Sequence, residues 1–315
     1  MKKITICIFI LMYTFSSYAQ RINAIDYKYL QKKEDSLKKM GLLIVQGKSA
    51  AERFLADSNF TKTFVRALRT KNAFYFPFDS IINVSKIYAP DSSFRIYTWQ
   101  LMINENIIRQ HGAIQMRTDD GYLKLFGLID KSDITKNMLD TIADNNGWMG
   151  AVYYKIIQKK DGENNIYTLF GFDENNIKSD KKILDILEFV DGKPMFGKKI
   201  FMMEKQSSYP KMASRFIMEF KKYASPRMTY DKEQDVIVFD EMVSETNEPK
   251  KKWTLVPDGE QEIFKWRNGK WYHNANVMLG TEPVKFEQPT QIRDAKGNIK
   301  ENNKPAKPTT KPKRK

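Results

Sequence analysis

The feature that most constrains the fold is a succession of aromatic and β-branched runs, separated by turn residues, that begins near Phe74. Such runs are typical of strands. Sequential strands joined by tight turns form antiparallel sheets, because parallel strands need crossover helices between them. The runs are FRIYTWQLMI, AIQMR, YLKLFGLI, MGAVYYKIIQ, NIYTLFGF, KPMFGKKIFMM, RFIMEFKKY and DVIVFDEM. The sequence therefore predicts a large antiparallel β domain of successive hairpins over residues 73–288.

Turn signals and two interruptions subdivide this region. The hairpin signals are Asp-Gly pairs, at 120–121, 161–162 and 258–259. The segment SDITKNMLDTIADNNG predicts a helix that begins after Ser132 as N-cap and ends at Gly147. The segment SDKKILDILEF fits a helix or a strand equally well.

Residues 20–72 have a different pattern, in which apolar residues recur at three- and four-residue steps without proline. Ser49 and Glu52 fit a capping box, in which the serine hydroxyl accepts from the third helical amide and the glutamate reaches back to the serine amide. Phe60, Phe64 and Leu68 form a stripe that predicts a core face, with a partner groove as the alternative. The predicted fold class is α+β, with N-terminal helices followed by the β domain.

The first 19 residues have the composition of a secretory signal peptide. Two lysines precede the apolar run Ile4–Phe15, and small residues stand at Ser17 and Ala19, which predicts cleavage after Ala19. A membrane anchor is the alternative, but the run is shorter than the roughly 20 residues that span a bilayer. Cys7, the only cysteine of the chain, would leave with this peptide, so disulfides and thiol chemistry are excluded for the mature protein.

The positive charge is concentrated at the C-terminus. Of the net charge of +15, the leader contributes +2 and residues 293–315 contribute +7, which leaves +6 for residues 20–292. Residues 289–315 alternate lysine with proline and have almost no large apolar side chains, which predicts a disordered tail. Such a tail binds polyanions by counterion release; a solubilising terminus without a partner is the alternative.

The segment FKWRNGKWYH, residues 264–273, predicts a hairpin around Asn268-Gly269, because both central residues of a type I′ turn need positive φ. The resulting register places four side chains on a core-facing side: Phe264, Trp266, Trp271 and His273. The other side is basic, and there Tyr272 can stack beneath a cation. The predicted residues for an anionic partner are therefore the cations of this hairpin and of the tail: Lys265, Arg267, Lys270, Lys304, Lys307, Lys311, Lys313, Arg314 and Lys315.

No motif identifies a reaction. Gly47-Lys48-Ser49 lacks the glycine that a phosphate-binding loop needs at position 42, so we interpret Ser49 as a helix cap. His111 and His273 stand in separate segments without zinc-ligand spacing, and we predict no metal site or cofactor. Acidic clusters stand at 119–120, 161–165, 173–176 and 240–241. The second and third could be calcium loops, but they fail the spacing of an EF-hand, and turn formation accounts for them better.

Several stretches resemble a group of exported proteins of the Bacteroidota to which no activity is assigned. The resemblance is carried by SSFRIYTWQ, GWMGAVYYKII, NIYTLFGFDENN, GKPMFGKKIF and DVIVFDEM, together with the Ala-Gln leader junction. It implies a Gram-negative envelope, with the periplasm as the expected location and the cell surface or the exterior as alternatives.

Together these observations favour a non-enzymatic binding or scaffold protein of the cell envelope. Its expected partners are an envelope complex or an anionic polymer or lipid surface, without specific nucleic-acid recognition and without a membrane span after cleavage. One alternative is an envelope carbohydrate hydrolase that uses paired carboxylates, which no sequence pattern reveals. The other is a structural subunit of an envelope complex, for which an exposed apolar patch would be expected.

Overall fold

A computed structural model describes residues 22–104, 106–204 and 209–274. All of these belong to one compact unit, Met1–Val277. The predicted signal peptide, residues 1–19, and the predicted tail, residues 289–315, lie outside the described residues.

Within the described part of the chain, helices come first and strands follow, so the predicted α+β class is confirmed. The helices are α1 (Ala24–Gln46) and α2 (Ala50–Leu68). The strands are, in chain order, β1 (Ser85–Tyr88), β2 (Phe94–Asn104), β3 (Ile107–Met116), β4 (Lys124–Ile129), β5 (Ala143–Asp144), β6 (Val152–Asp161), β7 (Asn164–Asp173), β8 (Ser179–Val190), β9 (Lys193–Phe196), β10 (Phe201–Met202), β11 (Met212–Ala213), β12 (Phe216–Lys221), β13 (Met228–Asp231), β14 (Val236–Ser244), β15 (Leu255–Arg267) and β16 (Lys270–Asn274).

The strands form three sheets that are antiparallel except for one short parallel pair, β10 with β16. The first sheet has the order β1-β2-β3-β4. The second has the order β5-β9-β8-β7-β6, with β12 paired to β8 beside this path. The third has the order β11-β10-β16-β15-β14-β13. Sequential hairpins supply most of these pairs, as the turn signals predict.

Three apolar clusters join the helices and sheets into successive layers. The helix–sheet cluster joins α1 and α2 to one face of the first sheet and includes Phe60, Phe64, Leu68, Tyr97 and Trp99. The middle cluster joins the other face of the first sheet to the second sheet and includes Ile96, Ile114, Trp148, Leu169 and Leu187. The outer cluster joins the second and third sheets and includes Phe170, Phe216, Phe239, Phe264 and Trp271. Successive side chains of β2 and β7 point to opposite faces of their sheets, so each of these strands contributes residues to two clusters.

The helix layer follows the predicted pattern closely. Phe60, Phe64 and Leu68 are buried, which confirms the core-face interpretation of this stripe. The Ser49 hydroxyl accepts from the Glu52 amide at 3.2 Å, as in a capping box. The Glu52 carboxylate accepts from the amide of Lys48, one residue before the predicted donor, at 2.8 Å.

The prediction of a helix after Ser132 is wrong. Residues 132–142 form turns, followed by the short strand β5 and a 3₁₀ turn at Asn145–Gly147. The Ser132 hydroxyl and amide bond to the Asp130 carboxylate instead of capping a helix. The ambiguous segment SDKKILDILEF is strand β8, because it pairs with β7 along one edge and with β12 and β9 along the other.

Two further predictions need correction. The run KPMFGKKIFMM divides at Gly197, whose φ is +83°, into β9 of the second sheet and β10 of the third. Asp258-Gly259 is not a hairpin turn but a bulge inside β15, since β15 pairs with β14 on both sides of it.

The hairpin at Asn268-Gly269 has the predicted register. Both residues have positive φ, and Trp266 pairs with Trp271 across the turn. Trp271 is fully buried in the outer cluster, and its indole N–H donates to the Thr168 hydroxyl at 3.0 Å. The hairpin therefore faces the core, as predicted.

Candidate functional site

Strand β12 is the starting point of the candidate site because only one of its edges is paired in the described residues. It pairs with the first half of β8, from Phe216 opposite Leu184 to Lys221 opposite Ser179. No other described strand pairs with it. The second edge of β12 is therefore an open edge.

Two hydrogen bonds show which backbone groups face the open edge. The Lys222 amide continues the ladder by donating to the Lys178 carbonyl at 2.9 Å, so even-numbered residues of β12 bond to β8. The Tyr209 hydroxyl donates to the Ile217 carbonyl, which is therefore turned away from β8. Since the N–H and C=O of one strand residue point to the same side, the N–H of Ile217 and both groups of Glu219 point to the open edge.

A pocket of about 810 Å³ lies beside this edge. We call it the acidic pocket, because its lining includes, among the described residues, five acidic residues and two lysines. Its apolar wall consists of Met138, Leu139, Met203, Tyr209, Phe216, Ile217, Met218, Phe239, Met242 and Leu255. Its polar groups belong to Lys181, Glu204, Glu219, Asp240, Glu241, Lys252, Glu262 and His273.

The apolar wall is continuous with the outer cluster. The ring of Phe216 lies 4.8 Å from that of Phe239 and 5.1 Å from those of Phe264 and Tyr209. Such ring contacts each contribute about 0.5–1.5 kcal/mol beyond the burial of area. One side of the pocket is therefore as well packed as a core.

A buried ion pair anchors the loop that carries Met138 and Leu139. Arg215 and Asp185 are fully buried, with Nε 3.0 Å from Oδ1. The Arg215 guanidinium also donates to the carbonyl oxygens of Met138 at 2.8 Å and Thr141 at 2.6 Å. Since Arg215 directly precedes β12, this contact ties the loop to the end of the open edge.

The carboxylates on the third sheet interact with one another. Burial raises the pKa of Glu241, and the nearby charges of Asp258, Glu262 and Glu260 raise it further. Burial also raises the pKa of Asp240, against the opposing effect of an amide hydrogen bond from Arg227. Both raised pKa values mean that the ionised forms of Asp240 and Glu241 are destabilised in the folded protein.

His273 contributes a buried polar group that lacks hydrogen bonds. Its side chain is 5% exposed, and its ring is stacked 5.9 Å from that of Phe239. Nε2 lies 3.4 Å from the Glu262 carboxylate, but neither ring nitrogen has a hydrogen-bond partner in the described residues. Buried imidazole nitrogens usually form hydrogen bonds, so His273 is a candidate contact for a polar group of a ligand.

The predicted basic residues lie on the opposite side of the same hairpin. Lys265 and Arg267 are exposed and Lys270 is half-buried. The Arg267 guanidinium lies 5.7 Å from the ring centre of Tyr272, which confirms the predicted stacking. The six tail cations from Lys304 to Lys315 lie outside the described residues.

The remaining candidates have structural roles. Gly47 is the C-cap of α1 and Ser49 the N-cap of α2, which is incompatible with a phosphate-binding loop. His111 has an acidic neighbour, with Nδ1 3.1 Å from the Asp57 carboxylate. Among the described residues, no three histidine, aspartate or glutamate side chains come close enough together to hold a metal ion.

The acidic pocket was not predicted from the sequence. Asp240-Glu241 stands out there as an acidic pair, but Glu204, Glu219 and Glu262 lie on other segments. The available signal was Glu219 within the apolar run RFIMEFKKY, where a carboxylate interrupts a strand.

Comparison with models of protein families, with curated proteins and with solved structures gives no match to this chain. In the part of the chain that the structure describes, neither helix is both long and apolar enough to cross a membrane.

Proposed function

We propose that this protein is an exported, non-enzymatic binding protein of the cell envelope, and that the acidic pocket holds a cationic ligand with an apolar body. The observation that carries the proposal is the acidic lining of Glu204, Asp240, Glu241 and Glu262 in a wall of methionine and aromatic side chains. Glu219 also lines the pocket, but its carboxylate accepts from the Ser179 hydroxyl at 2.6 Å. The volume of about 810 Å³ lies within the range of roughly 300–1,000 Å³ that is usual for ligand sites.

The chemistry of the lining defines the ligand class. An ammonium or guanidinium group would form charge-assisted hydrogen bonds to the carboxylates and relieve their mutual repulsion. Four of the apolar wall residues are methionines, which adapt their shape to an irregular apolar partner. A neutral or anionic ligand would leave the repulsion between Glu241 and Glu262 in place.

Export and attachment are further parts of the proposal. The leader and the resemblance to exported Bacteroidota proteins support the periplasm as the location. The exposed cations Lys265 and Arg267, together with the basic tail, would attach the protein to anionic envelope polymers or lipid.

The attachment is tested with the mature chain and a truncation that lacks residues 293–315. We expect the truncation to elute from anionic envelope fractions at lower salt, because it lacks +7 of charge. Equal retention of the two forms would contradict the role of the tail.

The pocket is tested by calorimetry with three probes that share one chain: hexylammonium, hexanol and hexanoate. We expect the affinity to be highest for hexylammonium and undetectable for hexanoate. The variant Glu262→Gln should weaken hexylammonium binding by about tenfold, the effect of one charge-assisted hydrogen bond. Glu260→Gln is the matched control, since Glu260 lies on the same strand, is exposed and does not line the pocket. Equal binding of all three probes would refute a cation site.

A carbohydrate hydrolase is the second candidate, and the raised pKa values of Asp240 and Glu241 favour it, because a protonated carboxyl can serve as a general acid. Release of reducing ends from envelope polysaccharide, abolished in Glu241→Gln and retained in Glu260→Gln, would support this candidate. The absence of release at high enzyme concentration would exclude it for that polysaccharide.

A further inference from the structure

We infer that the ligand of the acidic pocket is an extended polypeptide segment that carries a basic side chain and pairs with the open edge of β12 as an added strand. This inference rests on the proposed cation site and specifies its ligand. The open edge, the direction of its backbone groups and the chemistry of the pocket support it together.

The first support for strand addition is a set of backbone groups at the open edge of β12. The N–H of Ile217 and the N–H and C=O of Glu219 point away from β8, as the alternation along β12 requires. Within the described residues, no backbone hydrogen bond uses these three groups. An extended peptide would satisfy them in the way that strand addition does in other proteins.

The ends of the free edge limit the length of the added strand. At one end the Tyr209 hydroxyl occupies the Ile217 carbonyl. At the other end Lys221 forms an ion pair with Glu245 at 2.6 Å, beside the loop between β14 and β15. The edge between these contacts runs from Ile217 to Lys221 and spans roughly 15 Å, which is the length of a short extended peptide.

The alternation of side chains along an added strand places every second side chain beside the acidic pocket, which favours a cationic residue at such a position. Phe216 and Met218 of β12 belong to the outer cluster and so point toward the third sheet. A strand added beside β12 would point every second side chain toward the same sheet, where Glu262 and His273 line the pocket. A lysine or arginine there can donate to the Glu262 carboxylate and to the His273 Nδ1, which accepts no hydrogen bond from the described residues.

The probe is the peptide acetyl-VLKLV-amide, compared with its norleucine and glutamate forms at the central position. We expect binding in the order lysine, norleucine, glutamate. In Glu262→Gln the advantage of lysine over norleucine should fall by about tenfold, whereas Glu260→Gln should preserve it. An unchanged advantage in Glu262→Gln would overturn the placement of the basic side chain.

N-methylation of the peptide tests strand addition directly. Adjacent N–H groups of a strand point in opposite directions, so methylation of either leucine amide, or of the lysine amide, but not both kinds, can remove a hydrogen bond to β12. The two isomers compared carry one methyl group, on a leucine amide or on the lysine amide. In an antiparallel arrangement, methylation of a leucine amide should reduce affinity by about tenfold or more, while methylation of the lysine amide should be tolerated; a parallel arrangement would reverse the two results. Equal affinity of the two isomers would overturn strand addition.

These results separate the inference from the proposal on which it rests. If hexylammonium binds and the two methylated peptides do not differ, the cation site stands and strand addition is refuted. If neither hexylammonium nor the lysine peptide binds, both are refuted.

Discussion

The helix–sheet cluster and the acidic pocket are both built on aromatic side chains, yet only the first is closed. In the cluster, the Phe64 ring lies 4.9 Å from Tyr97 and 5.2 Å from Phe78, and two helices cover the face of the sheet. In the pocket, the Phe216 ring has equally close neighbours, but the adjacent edge of β12 has no strand beside it in the described residues. The helix–sheet cluster and the acidic pocket therefore differ in whether other elements cover the sheet, and not in their aromatic content.

The two histidines show the same difference. His111, beside the helix–sheet cluster, lies 3.1 Å from the Asp57 carboxylate, which also accepts from the Trp99 indole at 2.8 Å. His273 is more buried but makes no hydrogen bond in the described residues, although Glu262 is 3.4 Å away. The histidine of the pocket therefore differs from His111 in lacking a hydrogen-bonding carboxylate at close distance in the described residues.

The largest decrease in the free energy of unfolding is expected for substitutions in the helix–sheet cluster and the outer cluster. Trp271→Ala and Phe64→Ala should each lower the free energy of unfolding by about 3–5 kcal/mol, because both remove a buried ring. Urea denaturation measures both. Trp266→Ala is the control for Trp271, since Trp266 is only half-buried and should cost less. An unchanged melting temperature for Trp271→Ala would mean that the hairpin does not contribute to the core.

The next effect concerns the anchor of the pocket wall. Arg215→Met leaves the Asp185 carboxylate buried and unpaired, which should cost about 3–5 kcal/mol. The double variant Asp185→Leu, Arg215→Met should recover much of this loss, because no charge stays buried. Lys221→Met is the comparison, since an exposed pair such as Lys221 with Glu245 contributes only about 0–1 kcal/mol. Equal losses in Arg215→Met and Lys221→Met would contradict the proposed anchor.

A smaller effect should appear as opposing pH dependences of stability and binding. The folded-state pKa values of Asp240 and Glu241 are raised, so the folded protein binds more protons than the unfolded chain. The stability that these groups contribute is present below the unfolded pKa of about 4 and is lost as the pH rises through the folded values. Hexylammonium binding should instead strengthen over that range, because the carboxylates ionise.

Urea denaturation and calorimetry between pH 3.5 and pH 7 follow the two trends. The double variant Asp240→Asn, Glu241→Gln should lose this part of both pH dependences. If stability and affinity changed in the same direction and the double variant matched the original protein, the electrostatic account of the pocket would be wrong.

The smallest effect on stability is expected at the basic side of the hairpin. The double variant Lys265→Gln, Arg267→Gln should change the free energy of unfolding by less than about 0.5 kcal/mol, because both side chains are exposed. It should also leave hexylammonium binding unchanged, since neither residue lines the pocket. Elution from an anionic matrix at lower salt is the expected change, and a loss of pocket affinity would show that the two surfaces are coupled.

Much of the fold was predictable because it depends on local geometry. The register of the last hairpin follows from Asn268-Gly269, since the turn sets which residues of β15 and β16 face each other. The cap at Ser49 and the buried stripe from Phe60 to Leu68 follow from helix geometry in the same way.

The errors occur where other segments compete with local preference. The segment after Ser132 has a helical pattern, but its Leu139 carbonyl accepts from the Ser214 amide at 2.6 Å, and Arg215 holds the neighbouring carbonyls. Asp258-Gly259 is a sequence typical of a hairpin turn. Because β15 pairs with β14 on both sides of these residues, they form a bulge instead. Ser214 and Arg215 lie far from the first segment in sequence, whereas β14 is the strand directly before β15.

The sequence by itself determined that helices precede strands, that the sheets are largely antiparallel and how the tightest hairpin is registered, because period and turn dihedrals are set over a few residues. Only the tertiary structure decided that acidic side chains gather beside the open edge of β12. Strand β12 and the carboxylates of Glu204, Glu241 and Glu262 come from separate segments. Their meeting depends on how the second and third sheets pack, which no local pattern specifies.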